Sequence, residues 1–109
     1  MLYNEESINS LKKVIGEYHF RLNEISDIKI KIRLFKYCGI NDENIHFETS
    51  HFVHAPNKAG AYTTSRTSES TEEIALERAI STITEPYDSA ISEGYIPSAD
   101  WLVKNDFFD

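Results

Sequence analysis

The chain has 109 residues, of which 40% are hydrophobic and 12% aromatic, with one cysteine and a formal net charge of −7. That length suits a single domain over 1–109, able to bury roughly two-thirds of its unfolded surface, and that apolar content excludes a disordered adaptor. No run approaches the ~18 apolar residues of a membrane span; the start "MLYNEESINSL" lacks the basic flank and apolar core of a secretory leader, and Cys38 alone allows no intrachain disulfide, so a reducing, cytoplasmic setting is expected.

The charge is divided along the chain. Residues 1–38 carry seven Lys/Arg and five Asp/Glu, net +2, whereas residues 39–109 carry four and thirteen, net −9. An acidic C-terminal two-thirds repels phosphate backbones and steers basic partners.

In chain order, Asn4 reads as an N-cap with Glu5 and Glu6 in the first turn, where the helix dipole favours negative charge. Ile8, Leu11, Ile15, Tyr18, Leu22 and Ile25 then recur at spacings 3-4-3-4-3, which predicts a helix over 5–25. The next stretch, "SDIKIKIRLFKYCGI", supports two readings. Ile28, Ile30, Ile32 and Leu34 alternate with Lys29, Lys31 and Arg33, as in a strand with one apolar face. Ile25, Ile28, Ile32 and Phe35 continue the helical seam instead, and Gly39 with Ile40 looks like a helix end. Two signals favour helix, but 27–37 remains helix or strand.

Further on, Ile45, Phe47, Thr49, His51 and Val53 fall on one face of a predicted strand. "APNKAG" supplies a reversal and "AYTTSRT" a Tyr/Thr-rich return, so residues 45–66 read as a β-hairpin. Ser70 and Glu73 form a capping box for a helix carrying Leu76, Ile80 and Ile83, kinked or restarted at Pro86 and ended at Gly94. The tail "ADWLVKNDFFD" is apolar enough to dock on the body or on a partner. The expected fold is therefore α+β: a long N-terminal helix packed on a Pro-kinked C-terminal helix, with a small antiparallel hairpin or sheet beside them.

Candidate sites are few. His46 and His54 would lie about 26 Å apart along a strand, and His51 points to the opposite face from both, so no metal site is expected. Arg66 with Thr64 and Ser65, beside a helix N-terminus, could hold an anion or nucleotide, although no glycine-rich cradle is present. Read as a strand, 29–37 sets Lys29, Lys31, Arg33, Phe35 and Tyr37 on one face, the mixture of charge and rings used for single-stranded nucleic acid; the acidic remainder argues against it. Catalytic motifs are absent, and neither an enzyme nor a cofactor is expected.

Three functional readings follow. The leading one is a small acidic non-enzymatic protein that acts by occupying a partner with a basic surface, of the inhibitor, immunity or anti-defence kind. Glu72, Glu73, Glu77 and Asp88 with the aromatic anchors Trp101, Phe107 and Phe108 would carry it. The second is a homo-oligomer holding an anionic or nucleotide ligand near Arg66. The third is nucleic-acid binding through 29–37.

Overall fold

Two long strands, β1 (Leu11–Leu22) and β2 (Ile25–Cys38), pair antiparallel into a hairpin turned at Asn23-Glu24. They come from a computed structural model that describes residues 11–38 and 43–108. β3 (Ile45–Thr49) pairs with the other edge of β2, β4 (His51–Val53) follows after a break at Ser50, and β5 (Ser68–Glu69) pairs with β3. The main sheet thus runs β1-β2-β3-β5, all antiparallel. The helix α1 (Glu72–Ser92) packs across one face of it. A 3-10 turn at Ala99–Trp101 then leads into β6 (Leu102–Lys104), which pairs with β4 as a two-stranded ribbon.

This overturns the expected pair of packed helices. Of the predicted helix over 5–25, residues 11–22 are strand β1 and the rest of the described part is the turn into β2; residues 1–10 lie outside the described residues. The spacing misleads for a physical reason. Along a strand, a step of four keeps a side chain on its face, while a step of three moves it to the other unless one residue is inserted. The β1–β2 register shifts between Val14 and Gly16 and again between Phe20 and Leu22, just before the turn at residues 23–24. Those two slips supply the odd steps, so an interrupted period of two imitates a heptad seam. Ile15 accordingly still packs against the core, and Tyr18 pairs with the fully buried Ile32.

The 26–38 stretch is strand as well, so the preference for helix there was wrong and its alternation was the true signal. Ile30, Ile32 and Leu34 are completely buried under α1, while Lys29 and Lys31 are exposed. The expected helix end at Gly39 and Ile40 falls outside the described residues.

The predicted 45–66 hairpin is also corrected. Ile45, Phe47 and Thr49 alternate as expected, but residues 61–67 form no strand. β2 occupies one edge of β3, and the return chain touches the other through Phe47 N–H to Thr67 O (2.9 Å) and the two-residue β5. Tyr and Thr suit a half-buried pleated surface, and residues 62, 63 and 65–67 are exposed.

Two clusters make the core. Ile32, Leu34, Ile45 and Phe47 meet Ala75 and Ala79, whose small side chains let the helix settle close to the sheet. Leu22, Ile25, Ile30 and Val53 meet Ile83, Tyr87, Ala90 and Trp101. The tail question is answered here: Trp101 is buried in this second cluster, edge-on to Tyr87 at 5.8 Å between ring centroids.

The helix begins one residue later than the proposed capping box. Thr71, not Ser70, is the cap, its side-chain oxygen accepting from Ile74 N–H at 3.2 Å. Nor does the helix restart at Pro86; it runs unbroken through that residue, because Ile83, Pro86, Tyr87 and Ala90 are all buried on the face against the body. Its end at Gly94 is as expected. Gly94 sits at φ +95, its N–H donates to Ile91 O (2.9 Å), and Tyr95 N–H donates to Ala90 O (3.1 Å). A Cβ there meets no neighbour, so Gly94→Ala should cost only the left-handed strain, about 1 kcal/mol. Urea unfolding checks this, and an unchanged midpoint would contradict it.

The hairpin tip is pinned to the helix by a polar contact. The Tyr87 hydroxyl donates to Glu24 Oε2 at 2.5 Å. Burial, reinforced by the adjacent Glu24 carboxylate, pushes the Tyr87 phenol up to about 12. An acid whose folded-state value lies above the unfolded ~10 holds its proton more tightly when folded. That contribution is complete below pH 10 and is lost as pH rises from 10 toward 12. Tyr87→Phe should flatten this part of the stability–pH curve, as read by thermal melts between pH 9 and 12; identical slopes in both proteins would contradict it.

Candidate functional site

With α1 covering one face of the sheet, no second layer among the described residues covers the other, and the period of two decides what stands on it. Arg33 pairs in register with Glu17 of β1 and Glu48 of β3, and Phe35 with Val14 and His46. Side chains opposite one another share a face, so this open face gathers Lys31, Arg33, Phe35, Tyr37, His46 and Glu48.

The rings form a cluster. Phe35 lies 5.4 Å from Tyr37 and 5.5 Å from His46, which it stacks on, and Tyr37 meets His46 edge-on at 4.8 Å. Lys12 Nζ sits 4.5 Å from the Phe35 ring centre and 5.7 Å from that of Tyr37. Phe35 itself is only 5% exposed, so it is the floor of the cluster, and the half-buried Tyr37 and His46 are its surface.

Arg33 is held on both sides. Its guanidinium donates to Glu48 Oε1 at 2.9 Å and lies 3.6 Å from Glu17 Oε1. The Phe108 ring covers it with the centroid 4.3 Å away. Asn105 aims that ring: its backbone N–H donates to Ser50 O (2.8 Å) and its side-chain amide to Thr49 O (2.9 Å), while its side-chain oxygen accepts from Phe107 N–H (3.0 Å). Of the proposed tail anchors, therefore, Phe108 belongs to the open face, Phe107 is 93% exposed, and Trp101 is in the core.

Beyond Arg33 the face dips into a cavity of about 270 Å³ bordered by Lys29, Lys31, Ser50, His51 and Lys104. It exists because the strand breaks at Ser50. There Ser50 N–H donates to Lys31 O (2.9 Å), Lys31 N–H donates to Ser50 Oγ (2.8 Å), and Ser50 Oγ lies 2.8 Å from His51 Nδ1. The Ser50 hydroxyl thus joins the Lys31 backbone to the His51 ring, accepting from the amide and sharing a hydrogen with Nδ1. Burial, and then the charge of Lys104, holds the His51 imidazole below the usual histidine range.

Charge is sorted between the two layers. The stretch 11–38 has seven Lys/Arg against three Asp/Glu, and α1 has five carboxylates against Arg78 alone. Glu72, Glu73, Glu77 and Asp88 are all exposed on the helix, with Glu85 between them.

The Arg66 group is arranged differently from a ligand site. Arg66 Nε lies 2.9 Å from Oε1 of the buried Glu69, and Arg78 binds the same carboxylate. Thr64 Oγ1 accepts from Arg66 N–H at 3.2 Å and Ser65 is exposed. Thr64 does border two open cavities, one of about 260 Å³ between the 62–67 loop and β3 and one of about 310 Å³ between Tyr62, Thr64 and α1, but the Arg66 guanidinium is turned to Glu69.

Among the described residues no three His, Cys, Asp or Glu side chains are grouped to hold a metal ion, and no helix is long and apolar enough to cross a membrane. No family model, curated protein or solved structure matches this chain. The site must be read from its own geometry.

Sequence reasoning collected Lys29, Lys31, Arg33, Phe35 and Tyr37 on one face, and the fold keeps them on one strand. It missed Lys12, His46, Ser50, His51, Lys104 and Asn105 as members of the same surface. His46 carried a signal, since its place in an alternating strand puts it opposite Ile45 and Phe47. Lys104 and Asn105 carried none, because their approach depends on the pairing of β6 with β4 some fifty residues away.

Proposed function

We propose that this protein is a non-enzymatic binding protein of the cytoplasm whose open sheet face takes a single strand of nucleic acid. The observation that carries the reading is the run along one face of β2, from Lys29 through Lys31 and Arg33 to Phe35 and Tyr37, joined by Lys12, His46 and Lys104. Ammonium groups attract the phosphates and ring faces accept bases whatever their sequence. From Lys29 to Tyr37 the strand covers about 26 Å at ~3.3 Å per residue, room for several nucleotides.

The net charge of −7 weighs less against this than it did in the sequence. The helix carboxylates stand behind a helix about 10–12 Å across, and exposed charges beyond about 8 Å are largely screened at physiological salt. Acid behind and base in front would also orient an incoming polyanion.

Fluorescence anisotropy with a labelled twelve-nucleotide single strand tests this. Engagement of three or four phosphates should give a slope of log K against log salt of about −2 to −3. No binding at 50 mM salt would overturn the proposal.

The exposed carboxylates Glu72, Glu73, Glu77 and Asp88 support a second reading, a partner with a basic surface docked on α1, as an inhibitor or anti-defence protein would use. Such a partner should survive nuclease treatment in affinity capture from a host lysate and be released by salt. It should also be lost from a Glu73→Lys, Glu77→Lys, Asp88→Lys variant; capture unaffected by those reversals would remove the helix from consideration.

A further inference from the structure

The cavity at the Ser50 break is more strongly built for an anion than the rest of the open face. Lys29, Lys31 and Lys104 border it, and among the described residues none of the three makes an ion pair with a carboxylate. Arg33, by contrast, is neutralised by Glu48 and Glu17. Three ammoniums around one hollow repel each other, and an anion inside it relieves that cost. The hollow is also structured: Ser50 is 8% exposed and has its N–H, carbonyl and hydroxyl all bonded. The half-buried His51 ring is held against it through Nδ1. The hollow's volume of about 270 Å³ is more than a phosphate alone fills. Phe108 borders the same hollow and gives it an aromatic wall.

These features discriminate between kinds of phosphate. An internal phosphodiester carries one negative charge, whereas a phosphomonoester carries about −1.5 to −2 at pH 7 and three acceptor oxygens. Three lysines without a carboxylate partner match the second. We infer that this cavity holds the terminal phosphomonoester of a bound strand, so that the protein recognises a phosphorylated end. The inference rests on the single-strand reading of the open face and adds to it where the strand stops and what its end must carry. With the phosphate among Lys29, Lys31 and Lys104, the terminal base lies toward Phe108 and the following nucleotides run along β2 toward Tyr37.

The test compares four probes by competition anisotropy at 100 mM salt: a twelve-nucleotide single strand with a 5′-phosphate, the same strand with a 3′-phosphate, the strand with two hydroxyl ends, and a nucleoside monophosphate. One phosphorylated strand should bind about tenfold tighter than the hydroxyl strand, from the extra charge facing three ammoniums. In Lys104→Gln that ratio should fall to about one; Lys104 is exposed, so the fold should survive the change. Lys12→Gln, at the far end of the face, should weaken all three strands in parallel and keep the ratio. Equal binding of phosphorylated and hydroxyl strands overturns the inference and leaves the single-strand reading standing. A monophosphate that binds as tightly as the phosphorylated strand, with no binding of the hydroxyl strand, supports the phosphomonoester cavity and overturns the strand reading. Failure of every probe overturns both.

Discussion

The Lys29→Glu, Lys31→Glu double variant should lose single-strand binding by a hundredfold or more and fold as the natural protein does. Both side chains are exposed, on a strand whose stability comes from its other face, so the substitution removes charge without disturbing the core. If each lysine engages one phosphate, the loss of two contacts lowers the salt slope by about 1.4, at ~0.7 per phosphate for single strands. Reversal, rather than neutralisation, adds two repulsions at contact distance. Affinity and slope must fall together. A drop in affinity with an unchanged slope would mean that the lysines do not meet phosphates, and an unchanged affinity would remove this face as the binding surface. Parallel thermal melts give the control, with the midpoint expected to stay within a few degrees.

The largest effect on stability should come from Leu34→Ala. Leu34 is completely buried at the centre of the sheet, against Phe47 of β3 and the alanines 75 and 79 of α1. Those alanines have already brought the helix close, so little slack remains to fill the space a leucine leaves. The cost should be about 3 kcal/mol, within the 2–5 typical of buried Leu→Ala changes, which lowers the melting midpoint of a domain this size by roughly 12–24 °C. Denaturant unfolding measures it directly. A loss below 1 kcal/mol would contradict the packing of α1 on this strand, whereas the double-lysine variant probes only the opposite face of the same strand.

Side-chain period was legible in the sequence wherever it was uninterrupted. Ile30, Ile32 and Leu34 against Lys29, Lys31 and Arg33 stated both the strand and its two faces. Ile45, Phe47 and Thr49 did the same for β3, and Gly94 fixed the helix end. β1 was not legible, because register irregularities beside Gly16 and between Phe20 and Leu22, followed by a two-residue turn, convert a period of two into apparent steps of three and four. Gly16 itself was the available warning, since a glycine inside a helix costs about 1 kcal/mol relative to alanine. Of the functional surface, the part lying on one strand could be assembled in advance. The cavity could not, since it joins Lys29 and Lys31 to His51 and to Lys104 through a strand break and a ribbon that close only in the folded chain.

Net charge misdirected the functional reading in a similar way. A sum of −7 suggests an acidic molecule, yet what a ligand meets is the local field, and here β1 and β2 carry seven of the eleven Lys/Arg while α1 carries five carboxylates against one arginine.

The most direct test of the open face as the binding surface is a backbone amide chemical-shift titration with a short single strand carrying a terminal phosphate. Shifts should concentrate on residues 29–37, on His46, on Ser50 and His51, and on Lys104 to Phe108, with the exposed amides of α1 unmoved. Shifts centred on Glu72–Asp88, or none at saturating strand, would contradict the account.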